Sequence, residues 1–256
     1  FNYCSNSIRP SRVSAMKKLL IVFVSLLLLP IYPSQAVING DAGGFGVTVT
    51  FFKNKTDKVG YCSGTIISPK IVIAAGHCEM IEAGWYVGRP DFSTRNTFGR
   101  VSVARTLSPY MASIAPNPPV DDIRIVVLSQ AMPVKKLKIA TADQIKSWIN
   151  TGQSIYAIGY GYNNTSGIYN PSVYSTEGKL VRYTGNTATT EFIENTGICP
   201  GDSGGSLITI SDSTIYYIGS ISYINFNMCD LNVSRERYGN ATSYIYSYYK
   251  SVLNRS

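Results

Sequence analysis

The sequence contains a single histidine, His77, and none of its five cysteines forms a C-x-x-C pair. Protein zinc sites are built mostly from histidine and closely spaced cysteine side chains, so a zinc site is not expected. Clusters of carboxylates of the kind that bind calcium are also missing. The sequence therefore predicts no metal site.

Long apolar runs are missing as well. Residues 16–36 read MKKLLIVFVSLLLLPIYPSQA, and the apolar run Leu19–Leu29 within them is shorter than the roughly 20 residues that a transmembrane helix needs. A short basic start, an apolar run and small residues before Ala36 are typical of a secretory signal peptide. We predict cleavage after Ala36, a secreted (extracellular or periplasmic) protein, and no membrane anchor after cleavage. Residues 1–15 precede Met16, the predicted start, and are interpreted as upstream translation.

Charged residues make up only 15% of the chain, against 45% hydrophobic residues, a balance typical of a globular protein. Basic residues outnumber acidic ones by 23 to 15, but they form no Lys/Arg-rich block. Removal of residues 1–36 takes away four basic residues and no acidic ones, which lowers the net charge from +8 to +4. We therefore expect a mildly cationic surface and no nucleic-acid partner.

Short runs rich in valine, isoleucine and threonine recur along the chain, with turn residues between them. They are Val47–Phe52, Ile66–Ala75, Ile123–Leu128, Ser154–Ile158 and Ile215–Ile221. This pattern predicts an all-β fold. One helix is predicted at the C-terminus, from apolar residues at three- and four-residue spacing over 245–252 behind a Thr242 cap. Residues 116–120 and Lys135–Lys138 are loop or linker candidates, and the second lies near the middle of the chain.

Four cysteines remain once Cys4 is excluded with the upstream segment: Cys62, Cys78, Cys199 and Cys229. An even number of cysteines in an exported protein predicts two disulfides. Three pairings are possible, and spacing alone does not choose among them.

A candidate nucleophile lies in the run Gly201-Asp202-Ser203-Gly204-Gly205. Amide hydrolysis by a serine needs a base, a group that orients the base, and N–H donors for the oxyanion. Glycines around Ser203 let backbone amides approach a reacting carbonyl, and Gly201 and Ser203 would supply the N–H groups. The same residues are also common in surface turns.

His77 is the candidate base, at the end of the apolar run Ile73–Ala75 and beside Cys78, which can anchor it. A lone histidine is otherwise more often structural. Asp121 and Asp122 lead into an apolar strand, where a buried carboxylate needs a partner. Since side chains alternate along a strand, only one of the two can point at the site.

Several separated motifs occur together in one order. They are Cys62-Ser63-Gly64, Ile73–Cys78, Asp122-Ile123, Gly159-Tyr160-Gly161, Cys199–Gly205 and Ser220–Tyr223. In order and spacing, across nearly the whole mature chain, they resemble the chymotrypsin/trypsin family of serine proteases. The chain departs from the family pattern at Gly76, usually alanine, at Ser206, usually proline, and at Pro200, which removes a backbone donor beside the oxyanion glycine.

The resemblance implies two perpendicular six-stranded β-barrels with the active site between them, followed by the C-terminal helix. The expected divisions are an upstream segment with signal peptide at 1–36, a first barrel at 37–143, and a second barrel with the terminal helix at 144–256. It also implies the disulfides Cys62–Cys78 and Cys199–Cys229.

The residue roles that the resemblance implies are a catalytic triad of Ser203, His77 and Asp122. Ser222 would support Asp122, while Asp121 would be a solvated turn residue. This chemistry requires no metal or organic cofactor, and the expected substrates are proteins or peptides. A monomer is the default state of the family.

A further implication concerns the N-terminus created by signal cleavage, Val37-Ile38-Asn39-Gly40. In the family such a terminus folds inward, and its ammonium group pairs with the aspartate beside the catalytic serine, here Asp202. Signal cleavage would then activate the enzyme directly. The alternative is that Val37 begins a mobile tail.

The resemblance also implies a specificity pocket with Gly197 at its floor, where this chain has no carboxylate. Its other expected members are Ile198, Ser222, Tyr223, Ile224 and Gly239. A buried Arg or Lys side chain of a substrate would have no partner, and Ile224 would shorten the pocket. We therefore expect elastase-like cleavage after small aliphatic residues.

Two other functions remain open from the sequence. The first is a catalytically silent binding or adhesion protein on the same fold, although such proteins usually lose a triad residue. The second is a carbohydrate- or surface-binding face built from the 19 tyrosines, which ordinary strand propensity explains better.

Overall fold

The structure, a computed structural model, describes residues 41–57, 59–91, 96–108, 122–135, 137–161, 172–184, 187–192, 196–224 and 238–242. Several expectations concern residues outside this set. They are the signal peptide, the Val37 terminus, Asp121, the segment 116–120, Cys229 and the C-terminal helix.

Six strands form a closed barrel in the first half of the chain. They are β2 (Thr48–Phe52), β3 (Ser63–Ser68), β4 (Ile71–Ala74), β5 (Tyr86–Asp91), β6 (Asn96–Leu107) and β7 (Arg124–Leu128), paired in the order β2-β3-β4-β7-β6-β5. All pairings are antiparallel, and β5 pairs back onto β2. Its interior is filled by fully buried side chains such as Phe51, Ile66 and Val126.

The second half forms another antiparallel sheet that also closes on itself. Its strands are β9 (Ser154–Gly159), β10 (Tyr174–Thr184), β11 (Thr187–Phe192), β12 (Ser206–Ser211), β13 (Thr214–Ile224) and β14 (Tyr238–Thr242). Pairing runs β10-β11-β14-β13-β12-β9 and returns from β9 to β10. Two short strands make additional pairings: β1 (Asp41–Ala42) with β10, and β8 (Leu137–Ile139), in parallel, with β13. The expected all-β, two-barrel architecture is confirmed.

One helix, α1 (Ala142–Thr151), lies among the described residues, and the sequence analysis missed it. Thr141 and Gln144 form a capping box at its start, and Gly152 ends it in a left-handed conformation. Its apolar face packs into the second barrel through Ile145 and Trp148. The expected boundary at 143/144 falls inside its first turn. No helix in the described part of the chain is long and apolar enough to span a membrane.

One local prediction was wrong. The run Ile66–Ala75 was expected as one strand, but it belongs to the hairpin of β3 and β4, which turns at Pro69 and Lys70. Proline cannot donate to a strand ladder, so this position favours a turn.

The basic segment Lys135–Lys138, a loop or linker candidate, lies between the strands of the two barrels. Its last two residues open β8, where Leu137 and Ile139 pack against apolar side chains.

Buried hydroxyl groups join the two barrels. Ser206 Oγ lies 2.7 Å from Thr48 Oγ1 and 2.7 Å from Thr65 Oγ1, so a second-barrel side chain is bonded to two strands of the first. All three residues are at most 2% exposed. Buried hydroxyls need partners, and these satisfy one another across the contact.

Candidate active site

His77 and Asp122 come together beside the ends of two paired strands of the first barrel. The backbone N–H of His77 donates to Asp122 Oδ1 at 2.7 Å, and His77 Nδ1 lies 2.8 Å from Asp122 Oδ2. Ser222 Oγ donates to Oδ2 at 2.5 Å. Asp122 is completely buried, whereas the His77 side chain is 33% exposed. The carboxylate thus orients a ring whose other side remains accessible.

The hydrogen bonds to Asp122 also determine its ionisation. Burial alone would raise the pKa of its carboxyl group, but the contacts of His77 and the hydroxyl of Ser222 favour the charged form more strongly. The pKa of Asp122 therefore lies below its usual value. A carboxylate held ionised in this way stabilises a protonated imidazole beside it.

Ser203 lies in a sharp turn before β12, against the strand end that carries His77. Its carbonyl oxygen accepts a hydrogen bond from Ser63 N–H at 2.9 Å and lies 3.9 Å from Cys78 Sγ. Gly204 has a φ of +81°, and a Cβ there would meet the backbone of Ala75 at 2.6 Å. Only glycine allows Ser203 to approach the first barrel so closely.

Among the described residues, no hydrogen bond joins Ser203 Oγ to the His77 ring. Such bonds are often long or misaligned in unliganded enzymes and tighten when substrate binds. The N–H groups of Gly201 and Ser203 likewise donate to no other described residue. Neither amide has an acceptor among the described residues, and the role of Gly201 and Ser203 as oxyanion donors stays a prediction.

Asp202, the residue before Ser203, is a second buried carboxylate. Its Oδ1 accepts from Gly161 N–H at 2.8 Å and its Oδ2 from Cys199 N–H at 2.8 Å. Burial raises its pKa to about 7, although the two N–H groups partly counter this. In the described part of the chain no cation pairs with it. Burial without a paired cation therefore favours the neutral form of this carboxyl group.

The sequence analysis included Gly159-Tyr160-Gly161 among its motifs but gave these residues no role. In the structure, Gly161 binds Asp202, and Cβ atoms at Gly159 or Gly161 would collide with the Asp202 side chain. The sequence signal for this contact was a pair of glycines separated by one residue at the end of a strand, because such a pair permits close backbone approach.

The expected pocket residues are only partly described. Gly197 and Ile198 are buried, and the Ile198 side chain packs in the core of the second barrel. Strand pairing places Ile224 opposite Gly239, while Tyr223 lies opposite Asn240. The side chains of Tyr223 and Ile224 lie outside the described set.

The Cys62–Cys78 disulfide is confirmed, and it ties the residue before β3 to the residue after His77. Cys199 is also disulfide-bonded. Its expected partner, Cys229, lies outside the described residues, so that pairing stays a prediction. The described segments contain no cluster of three or more His, Cys, Asp or Glu side chains suited to a metal ion.

Comparison with known proteins agrees with this geometry. The protein-family model described as Trypsin matches residues 38–246, well over half of the chain. A search of curated proteins gave no significant match.

Proposed function

Because the chain belongs to the trypsin family of serine proteases, we propose that it is a catalytically active, secreted serine endopeptidase with a Ser203-His77-Asp122 triad. The observation that carries this proposal is the pair of hydrogen bonds by which buried Asp122 holds both the backbone and the ring of His77.

In the proposed reaction, His77 Nε2 takes the proton of Ser203 Oγ as the oxygen attacks the substrate carbonyl carbon. Gly201 and Ser203 N–H groups stabilise the resulting oxyanion. Protonated His77 then gives its proton to the leaving amine, and an acyl-enzyme forms on Ser203. Water activated by His77 hydrolyses this ester. Each step moves a proton or a pair of electrons between groups of the chain and the substrate, and no cofactor takes part.

We propose that signal cleavage after Ala36 activates the enzyme. The new ammonium group of Val37 would pair with Asp202. Asp202 is fully buried and no cation pairs with it among the described residues, so a cation placed beside it would favour the charged carboxylate that burial disfavours. Disulfide bonding of Cys62, Cys78 and Cys199 supports export to an oxidising compartment.

The proposed specificity is for small aliphatic residues such as Ala or Val before the scissile bond. It rests on the identity of Gly197 at the expected pocket floor, which offers no carboxylate to an Arg or Lys side chain. Comparison of valyl and arginyl ester hydrolysis tests this, and faster hydrolysis of the arginyl ester contradicts it.

The test of the activity is the intact mass of the secreted protein after reaction with a fluorophosphonate. The wild type is expected to gain one adduct and to begin at Val37. The matched Ser203→Ala variant is expected to show the same N-terminus and no adduct. A wild-type protein that begins at Val37 and stays unlabelled contradicts the proposal and favours a binding protein with an unassembled site.

A further inference from the structure

Ser63 is a fully buried residue of β3, and it makes three hydrogen bonds across to the second barrel. Its backbone N–H donates to Ser203 O at 2.9 Å, and its hydroxyl donates to Gly201 O at 2.8 Å. The same hydroxyl accepts from Tyr160 N–H at 2.9 Å. One residue of the first barrel therefore holds the carbonyl groups on both sides of Asp202.

The bond to Gly201 restrains a glycine with a φ of +92°. Two peptide groups meet at its Cα: one carries the Gly201 N–H, a proposed oxyanion donor, and the next carries the carbonyl that Ser63 binds. Glycine has no side chain to restrict its rotation. The Ser63 hydroxyl supplies a restraint that the local sequence lacks.

The bond to Tyr160 acts on the other peptide group. Tyr160 N–H lies next to Gly161, and a Cβ on Gly161 would lie 2.7 Å from Pro200 O and 2.7 Å from Asp202 N. The backbone of Gly161 therefore packs directly against the Pro200 carbonyl. That carbonyl belongs to the same peptide group as the Gly201 N–H. Ser63 therefore bonds one peptide group of Gly201 directly and holds the chain segment that packs against the other.

We propose that Ser63 is a positioning residue that holds the Gly201 N–H in the direction an oxyanion requires. The inference rests on the proposed protease activity and adds a residue to it. Donors that are aligned before reaction need no reorganisation in the transition state, so their loss lowers the rate of the chemical step more than substrate binding.

The test compares Ser63→Ala with a matched control, Ser206→Ala. Both variants lose a fully buried hydroxyl that bonds across the two barrels, but Ser206 bonds Thr48 and Thr65 and contacts neither Gly201 nor Tyr160. The measurements are kcat and KM for a valyl peptide anilide, the affinity of a valyl peptide boronate that forms a tetrahedral adduct, and urea unfolding.

For Ser63→Ala we expect kcat and boronate affinity to fall about tenfold, while KM stays within about twofold of wild type. The expected loss is smaller than the roughly 10²–10³-fold loss of kcat when an oxyanion donor is removed, because the Gly201 N–H is still present. Ser206→Ala should keep kcat within twofold while losing comparable stability. Ser63→Thr, which keeps the hydroxyl, should restore most of kcat. Ser63→Gly is the second hydroxyl-free variant if Ser63→Ala does not fold.

If the wild type is active and Ser63→Ala and Ser206→Ala have equal kcat values, the proposed role of Ser63 is overturned. The proposed protease function is unaffected by that result. A raised KM with unchanged kcat also overturns the proposed role of Ser63, because the hydroxyl would then act on substrate binding. A wild type that neither hydrolyses the anilide nor reacts with fluorophosphonate overturns the proposed protease function and this inference with it.

Discussion

The charge state of Asp202 should make stability depend on whether the chain begins at Val37. Its carboxyl group is completely buried, and burial raises its pKa from 3.8 to about 7 when no cation is present. The difference between these two pKa values corresponds to roughly 4 kcal/mol of lost folding stability at a pH where the carboxyl group is ionised. Because the folded state binds this proton more tightly than the unfolded state does, stability falls as the pH rises from about 4 to about 7.

An ammonium group at Val37 reverses this effect by favouring the ionised carboxylate. The α-amino pKa should then be raised above its usual value of about 8, and the ion pair is lost only as the pH rises through that higher value. A chain that begins at Val37 is therefore expected to keep its stability between pH 4 and 8. A chain that retains residues 34–36 should lose up to about 4 kcal/mol over the same interval.

The assay is urea unfolding of the two forms from pH 4 to 9, both carrying Ser203→Ala to prevent self-digestion. All other side chains of the 37–256 region are shared, so the difference between the two curves reports mainly on Asp202. Asp202→Asn in both forms is the matched control and should remove the pH-dependent difference. If the free-energy difference between the unmodified forms is the same at pH 4 and pH 8, Val37 does not pair with Asp202.

Three other changes test the site. Ser222→Ala removes a hydrogen bond that lowers the pKa of Asp122. The pKa of Asp122 should therefore rise, and kcat/KM should fall about tenfold. A kcat/KM equal to that of wild type would contradict a role for this hydrogen bond. Gly161→Ala should destabilise the fold by roughly 1–3 kcal/mol in urea unfolding, because its methyl group has no space beside the nucleophile turn, and full stability would refute this packing. Removing both Cys62 and Cys78, which are 16 residues apart, should lower the unfolding free energy by about 3 kcal/mol, whereas an unchanged midpoint would show that the bridge is dispensable.

The motifs allowed much of the candidate site to be predicted from the sequence. His77 and Ser203 could be named as candidates from their local runs, whereas the choice of Asp122 over Asp121 followed from the family resemblance. The Cys62–Cys78 pairing followed from the family resemblance, and the structure confirms it. The all-β class followed from alternating valine, isoleucine and threonine, since the strand period of two is visible in the sequence.

Helix α1 escaped prediction although its signals were local. The capping box of Thr141 and Gln144 and the terminating Gly152 bound a segment whose only deeply buried side chains are Ile145 and Trp148. Two buried apolar side chains make only a weak periodic pattern in the sequence. Most of the stabilisation of helix α1 comes from packing against the second barrel, because short helices are marginally stable by themselves.

The sequence by itself determined which side chains are candidates for chemistry and which short runs form strands, because both depend on neighbouring residues. Only the tertiary structure decided how those groups are held. Ser63 bonds Tyr160 from 97 residues away, and Thr48 bonds Ser206 from 158 residues away. Only the folded barrels leave Asp202 buried beside two backbone donors, with no cation among the described residues to pair with it. Hydrogen bonding and desolvation depend on distances that exist only after the barrels have closed and packed together.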